Sequence, residues 1–174
     1  MARVIRTYQD GMVYEEYYDV NGLMQGLYKK KYNDNIKEIC NYVNKKRNGC
    51  RILNYSNIKE IQHYANNIKN GVCKYFYESG KLMSIAHYKN NKLHGFFEEY
   101  QENGKIKKKG NYLNGRLHGN FELYRPEGPL LYKCNCMNGL KNGEYIEYTK
   151  YGRIASRRYY KNDELIQHPE YAGS

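Results

Sequence analysis

Tryptophan is absent from this chain of 174 residues, phenylalanine appears four times and proline three times. The apolar fraction of 40% therefore leans on 22 tyrosines, and a compact core of Leu, Ile and Val is not expected. Tyrosine buries a large ring while its hydroxyl stays wet or hydrogen-bonded, which suits a thin, two-sided sheet. Long apolar runs are missing too: nothing approaches the ~18 consecutive residues of a membrane-spanning helix. Met1-Ala2-Arg3-Val4-Ile5-Arg6 lacks the apolar stretch of a secretory signal, so a secreted protein is not expected. The five cysteines (Cys40, Cys50, Cys73, Cys134, Cys136) keep no regular spacing, which gives no disulfide framework and points to a reducing, cytoplasmic setting.

Catalytic signatures are equally scarce. Of Ser56, Ser79, Ser84, Ser156 and Ser174, none sits in a G-x-S-x-G elbow. No G-x-G-x-x-G or Walker-type loop opens a helix. His94 and His118 stand in Leu-His-Gly, 24 residues apart, and read as successive copies of one repeat position, too far apart to share a metal. His63, His87 and His168 show no ligand pattern either. The expectation is a chain without enzymatic activity, metal or cofactor.

What is abundant is periodic. Asn21, Asn44, Asn66, Asn90, Asn114, Asn138 and Asn162 follow one another at 22–24 residues, and a glycine follows each of the first six within five residues. A fixed period of this size is the signature of a repeat architecture, which presents a long surface rather than a closed pocket. The 16 glycines against three prolines favour strands joined by tight turns over a helical bundle.

Within each copy a Gly-opened stretch ends in tyrosine (Tyr100, Tyr124, Tyr148), and a Gly-centred turn follows (Gly80, Gly104, Gly128, Gly152). After it come an aliphatic column (Ile36, Ile58, Leu82, Ile106, Leu130, Ile154) and, six residues on, Tyr42, Tyr64, Tyr88, Tyr112, Cys136 and Tyr160. Gly-containing turns between β-type runs predict hairpins. The even offset predicts that aliphatic and tyrosine share one strand face, so that stacked copies build an aliphatic and an aromatic ladder. Each asparagine marks the passage from one hairpin to the next, and the glycine after it opens the new strand. Gly95, Gly119 and Gly143, with Tyr88, Tyr100, Tyr112, Tyr124, Tyr148 and Tyr160, are the structural positions of the best copies. The chain is predicted to be all-β, an elongated antiparallel hairpin ribbon of about six repeats of 22–24 residues with half-repeat ends. At about 4.8 Å per strand, six copies predict a length of about 60 Å. Residues 1–167 make a single domain in this reading: cap strands 1–20 about the turn Gln9-Asp10-Gly11, degenerate copies 21–65, regular copies 66–161 and a partial copy 162–167. Asp34 and Ser56 replace the turn glycine in the degenerate copies, and 168–174 is a tail.

The run KNNKLHGFFEEYQENGKIKKKGNYLNGRLHGNFELY, followed by NGLKNGEYIEYTKYGRIASRRYYKND, resembles the MORN repeat in its variant form, well over 66–166 and loosely over 21–65. Cys136 departs from the pattern, as does the basic opening Lys45-Lys46-Arg47. The resemblance implies a non-catalytic scaffold that contacts protein partners or itself within an assembly, such as a virion or cytoskeletal component. Two alternatives come with it: a peripheral tether on anionic lipid, and an antitoxin-like protein binder.

The candidate partner-binding or anion-binding residues are the basic runs Lys29-Lys30-Lys31, Lys45-Lys46-Arg47 and Lys107-Lys108-Lys109, with Arg157 and Arg158, in a chain of net charge +11. Within a strand such a run splits between two faces. The carboxylates Glu98, Glu99, Glu122, Glu144 and Glu147 are placed to pair with Lys107, Lys109, Arg157 and Arg158 across the hairpin. Nucleic acid is not an expected partner, because the aromatics it would need exposed are claimed by the ladders. Cys134 and Cys136 form C-x-C without a second pair, so Cys136 is read as a small core residue in the aromatic column.

Overall fold

The computed structural model describes residues 2–7, 13–32, 35–54 and 58–167. The expected turn Gln9-Asp10-Gly11, the turn positions Asp34 and Ser56, and the tail 168–174 lie outside the described residues. Those described form strands and turns and no helix: fifteen strands pair antiparallel in chain order, and a sixteenth, the two-residue Ile68–Lys69, pairs beside the strand before it. The all-β hairpin-repeat expectation holds.

The chain divides into two compact units. The first, Met1–Leu82 with Tyr88–Asn91, contains β1 (Ala2–Thr7), β2 (Val13–Val20), β3 (Leu23–Tyr32), β4 (Asn35–Val43), β5 (Lys46–Asn54), β6 (Lys59–Ala65), β7 (Ile68–Lys69) and β8 (Gly71–Phe76). β9 (Leu82–Lys89) supplies residues to both units. The second unit contains β10 (Lys92–Tyr100), β11 (Ile106–Leu113), β12 (Arg116–Tyr124), β13 (Leu130–Met137), β14 (Leu140–Tyr148), β15 (Ile154–Lys161) and β16 (Glu164–Ile166).

The periodic asparagines explain the phase of the repeat. All seven have φ between 49° and 55°, and the residue after each also has positive φ. Strands close on either side of the pair, as in Leu113↔Arg116 and Met137↔Leu140. Two central residues of positive φ define a type I′ hairpin turn, where asparagine is favoured because it tolerates the left-handed region. The asparagine is thus itself the start of a hairpin turn, not a link between hairpins. The Gly-centred turn is the longer loop: Gln101 N donates to Lys105 O and Gly104 N to Gln101 O, both at 2.8 Å.

From the second tight turn onward, each also binds the copy before it. The second turn residue donates its amide to a strand carbonyl some 22 residues earlier: Asn67 to Arg47, Asn91 to Lys69, Gly115 to Leu93, Gly139 to Leu117 and Asp163 to Lys141, at 2.7–3.0 Å. Where that residue is Asn or Asp, its side-chain oxygen accepts the neighbouring amide in return, at 2.7 Å in Asn67–Arg47, Asn91–Lys69 and Asp163–Lys141. A lone hairpin is marginal in water, so this reciprocal pairing is part of what makes stacked copies cohere.

Two sequence expectations need correction. Outside the copy in which Gly71 opens β8, the repeat glycine does not open its strand; Gly119 is the fourth residue of β12 and Gly95 the fourth of β10. Across β11–β12 the register runs Gly110↔Phe121 and then Tyr112↔Leu117, so β12 inserts extra residues around Gly119. The same bulge recurs around Gly26, Gly49 and Gly143. A bulge bends the strand and calls for φ that glycine supplies, here +69° to +113°.

The second correction concerns the ladders. Ile106 pairs with Tyr100 and Tyr112 with Gly95, and residues 95 and 100 of one strand point to opposite faces. A bulge at Lys107 reverses the parity of the even offset. The same holds for Leu130 with Cys136 and for Ile154 with Tyr160. Each face therefore has its own ladder. One carries the aliphatics with Tyr100, Tyr124 and Tyr148; the other carries Phe97, Tyr112, Phe121, Tyr132, Tyr145 and Tyr160.

On the aromatic face the paired row Phe97↔Gly110↔Phe121↔Cys134↔Tyr145 alternates large and small residues. Rings of neighbouring strands meet edge to face, Phe97 with Tyr112 at 5.5 Å and Tyr145 with Tyr160 at 5.8 Å. In the first unit Tyr28 meets Tyr42 in the same way at 5.7 Å. The two fully buried side chains among the described residues are small, Cys40 and Cys73 at 0% exposure, and Ala86 is 4% exposed.

Candidate functional site

Most of the basic residues singled out by the sequence lie on strands facing carboxylates. Lys107 and Lys108 both reach Glu99, at 2.7 and 2.9 Å, and Lys109 reaches Glu122 at 3.2 Å. Arg157 pairs with Glu144 at 3.3 Å, and Arg158 lies 4.0 Å from Glu147. In the first unit Lys30 pairs with Glu15 at 3.4 Å, and Lys29 lies 4.0 Å from Glu16. Adjacent residues part to opposite faces: Lys108 opposes Leu123, and Lys109 opposes Glu122. Lys31 lies on β3 opposite Tyr14 and Ile36. Lys45 is the second residue of a tight turn, with Lys46 beginning the next strand, and the Arg47 guanidinium sits 5.4 Å above the Tyr64 ring. Within the second unit the run 107–109 is divided between the two faces of the sheet.

The carboxylates feel this pairing. Burial alone would push the Glu99 carboxyl up, but Lys107 and Lys108 outweigh it and hold it below the usual range. Glu122 is lowered against burial in the same way, by the Tyr124 hydroxyl and Lys109. Tyr100 and Tyr124 donate their hydroxyls to Glu98 and Glu122, two residues back on the same face. Tyr148 lends its carbonyl to Arg125 Nη2 at 2.9 Å, and Tyr88 lies under Lys69 Nζ at 4.8 Å.

His94 and His118 each stand just before the repeat glycine, His118 within the bulge of β12, and in each Nδ1 is buried without a hydrogen-bond partner among the described residues. Cys134 and Cys136 share the aromatic face with sulfurs 3.8 Å apart, at 6% and 8% exposure, and both are free thiols. Burial pushes the Cys134 thiol up to about 12, with Cys136 adding to the effect. Cys136 is the small core residue its column position implied. The aromatic it lacks is replaced on its own strand: Tyr132 lies 6.0 Å from Phe121 and stacks on Tyr145 at 5.1 Å. Among the described residues no group of three or more His, Cys, Asp or Glu is placed to hold a metal ion.

Sequence reasoning did not single out the other face of the second unit. There Asn111, Asn120 and Asn135 stand on adjacent strands beside a row of paired charges, Glu98↔Lys109↔Glu122↔Lys133. Two adjoining depressions of about 130 and 230 Å³ open along them and share Asn120 and Glu122.

Comparison with family models matches the MORN repeat variant at residues 69–90 and 93–114. Residues 69–90 and 93–114 thus match two copies of the variant MORN repeat. Both matched MORN segments end on a periodic asparagine, Asn90 and Asn114, so the family unit closes on the type I′ turn. The second matched segment, 93–114, contains the positive-φ glycine Gly95 and the ladder residues Phe97 and Tyr112. A comparison with curated protein sequences returns no match. Similar solved chains include a glycine-to-arginine mutant of S. aureus TarM in complex with fondaparinux, alpha-GlcNAc-glycerol and UDP, at 9% identity and TM-score 0.27 over 83% of this chain. TarM itself aligns at 11% identity and TM-score 0.19 over 92% of this chain. The present chain spans 21% of each of those chains, and at these scores neither likeness bears on function. No helix among the described residues is long and apolar enough to cross a membrane.

Proposed function

We propose that this chain is a non-catalytic scaffold whose MORN repeats contact protein partners inside an intracellular assembly, of the virion or cytoskeletal kind. The observation that supports this reading is the state of the basic runs. Seven of the eleven candidate cations, Lys29, Lys30, Lys107, Lys108, Lys109, Arg157 and Arg158, lie within 4.0 Å of a carboxylate on a neighbouring strand. Cations paired in this way offer less to an anionic surface, which needs clustered uncompensated charge. What remains is an open sheet with large side chains exposed on it, among them Phe96, Leu113, Met137 and Leu140. Exposed apolar groups set among polar ones are the make-up of a protein contact.

The test combines two measurements on the full chain. Co-sedimentation with vesicles containing phosphatidylserine is expected to show no binding at low or physiological ionic strength. Affinity purification from the native source, followed by reconstitution with the purified partner, is expected to give a stoichiometric complex that survives raised salt. Vesicle binding that collapses with salt, and that Lys45→Glu with Lys46→Glu abolishes, would replace the scaffold by a lipid tether. A tight one-to-one complex with the product of a neighbouring gene would favour the antitoxin-like reading. A monodisperse monomer without a recoverable partner would sink the scaffold.

A further inference from the structure

We propose that the asparagine row of the second unit, Asn111, Asn120 and Asn135, is a docking groove for an extended, uncharged polypeptide segment of a partner, held by its main chain. The proposal rests on the scaffold reading and names the place and chemistry of the contact. The register puts these residues on one face. Asn120 pairs with Asn135, and each lies two residues from a member of the charge row, as Asn111 lies two from Lys109. Phe96, paired with Asn111, closes one end of the row; Glu144, paired with Tyr159, closes the other.

Three observations point to a ligand. All three asparagines are exposed, and none of their amides has a hydrogen-bond partner among the described residues. Elsewhere the chain uses side-chain amides to bind its own backbone, as at Asn67 and Asn91. The two depressions adjoin at Asn120 and Glu122, and the three asparagines line them, Asn111 and Asn120 the one and Asn120 and Asn135 the other. Exposed apolar side chains flank it on the same face: Leu113 at 40% and Met137 at 46%, each two residues from an asparagine, and Phe96 at 40%.

The chemistry selects the occupant. A primary amide offers donors and an acceptor, the complement of a peptide group. Three amides on adjacent strands reach across about 10 Å, the length of three extended residues. The charges lining the two depressions nearly cancel, Glu98, Glu122 and Glu144 against Lys109 and Lys133, which leaves no cationic surplus for phosphates. Flanking apolar groups give alternate side chains of an extended segment a place to bury. The equivalent row in the first unit, Leu27, Asn41, Cys50 and His63, has a single amide, so the groove is local to this part of the chain.

The full chain serves as bait for a displayed library of random linear 12-residue peptides, and selected peptides are titrated by fluorescence polarisation. Binding is expected to weaken at least tenfold in Asn111→Ala/Asn120→Ala/Asn135→Ala, to stay within twofold in Arg158→Ala on the opposite face, and to change little with salt. Circular dichroism checks that the triple variant is folded; if it is not, the single variant Asn120→Ala must show the loss. Failure to select any peptide, or equal affinity for the triple variant, would overturn the proposal. So would binding of neutral oligosaccharides such as chitohexaose that the triple variant abolishes, which would assign the groove to carbohydrate. If the native complex forms equally with the triple variant, the groove falls and the scaffold stands; if it forms with neither protein, the scaffold falls.

Discussion

Gly110 shows most directly how one side chain limits the packing of a whole copy. Unlike the bulge glycines it has no unusual φ, so its requirement is space. A Cβ there would lie 3.0 Å from Asn120 O and 3.2 Å from Phe121 Cδ2. Gly110→Ala is expected to cost about 1–3 kcal/mol, as overpacking does, read as a lower urea midpoint at unchanged m-value. Asn91 tests the stacking bonds. Asn91→Ala removes the acceptor for Lys69 N and places Ala at φ +63°, whereas Asn91→Gly removes only the acceptor. The expected loss for Ala is about 2 kcal/mol and for Gly about 1 kcal/mol, and equal losses would show that the side-chain bond alone matters. Gly115 and Gly139 fill the same slot in the next copies, so nature has made the second change already.

At the scale of the element, bulges decide which residues meet. The bulge at Lys107 sends Ile106 and Tyr112 to opposite faces, and the wide bulge around Gly119 lets Phe121 lie over Gly110. The aromatic ladder crosses the copy that lacks its tyrosine because Tyr132 stacks on Tyr145 and approaches Phe121. Restoring the column by Cys136→Tyr is therefore expected to destabilise by about 1–3 kcal/mol, since the space is already filled. Tyr132→Ser should relieve that cost, and a thermal-unfolding double-mutant cycle should show favourable coupling between the two changes. Independent effects would mean that the two rings do not compete.

For the whole molecule, ionisation sets the pH range of stability. Burial pushes the Cys134 thiol from an ordinary 9.0 up to about 12 and that of Cys40 up to about 11. Tyr100 is pushed up to about 12 by burial and by Glu98. Groups with raised folded pKa hold stability below their unfolded pKa and lose it as pH rises, so loss should begin near pH 9. Glu99 and Glu122 are lowered from 4.5, so their contribution is present above that value and lost as pH falls below it. Thermal unfolding across pH should show a plateau between about pH 5 and about pH 9. Lys107→Ala/Lys108→Ala should flatten the acid limb, and an unchanged limb would refute the role of Glu99.

Period, strand count and the cross-strand charge pairs were legible because each depends on local spacing. Asparagine and glycine recur where the backbone needs positive φ, and Glu and Lys recur where strands oppose. The small column Cys40, Ala86, Gly110 and Cys134 carried a signal, recurring near multiples of 24, that reads as burial only once the structure is seen. Face assignment was not legible. A period-2 argument assumes an unbroken strand, and a single inserted residue, set by pairing with another strand, inverts every side chain beyond it. By itself, then, the sequence determined the repeat and its turn chemistry. Only the tertiary structure decided which side chains share a face, and so brought Asn111, Asn120 and Asn135 into one row.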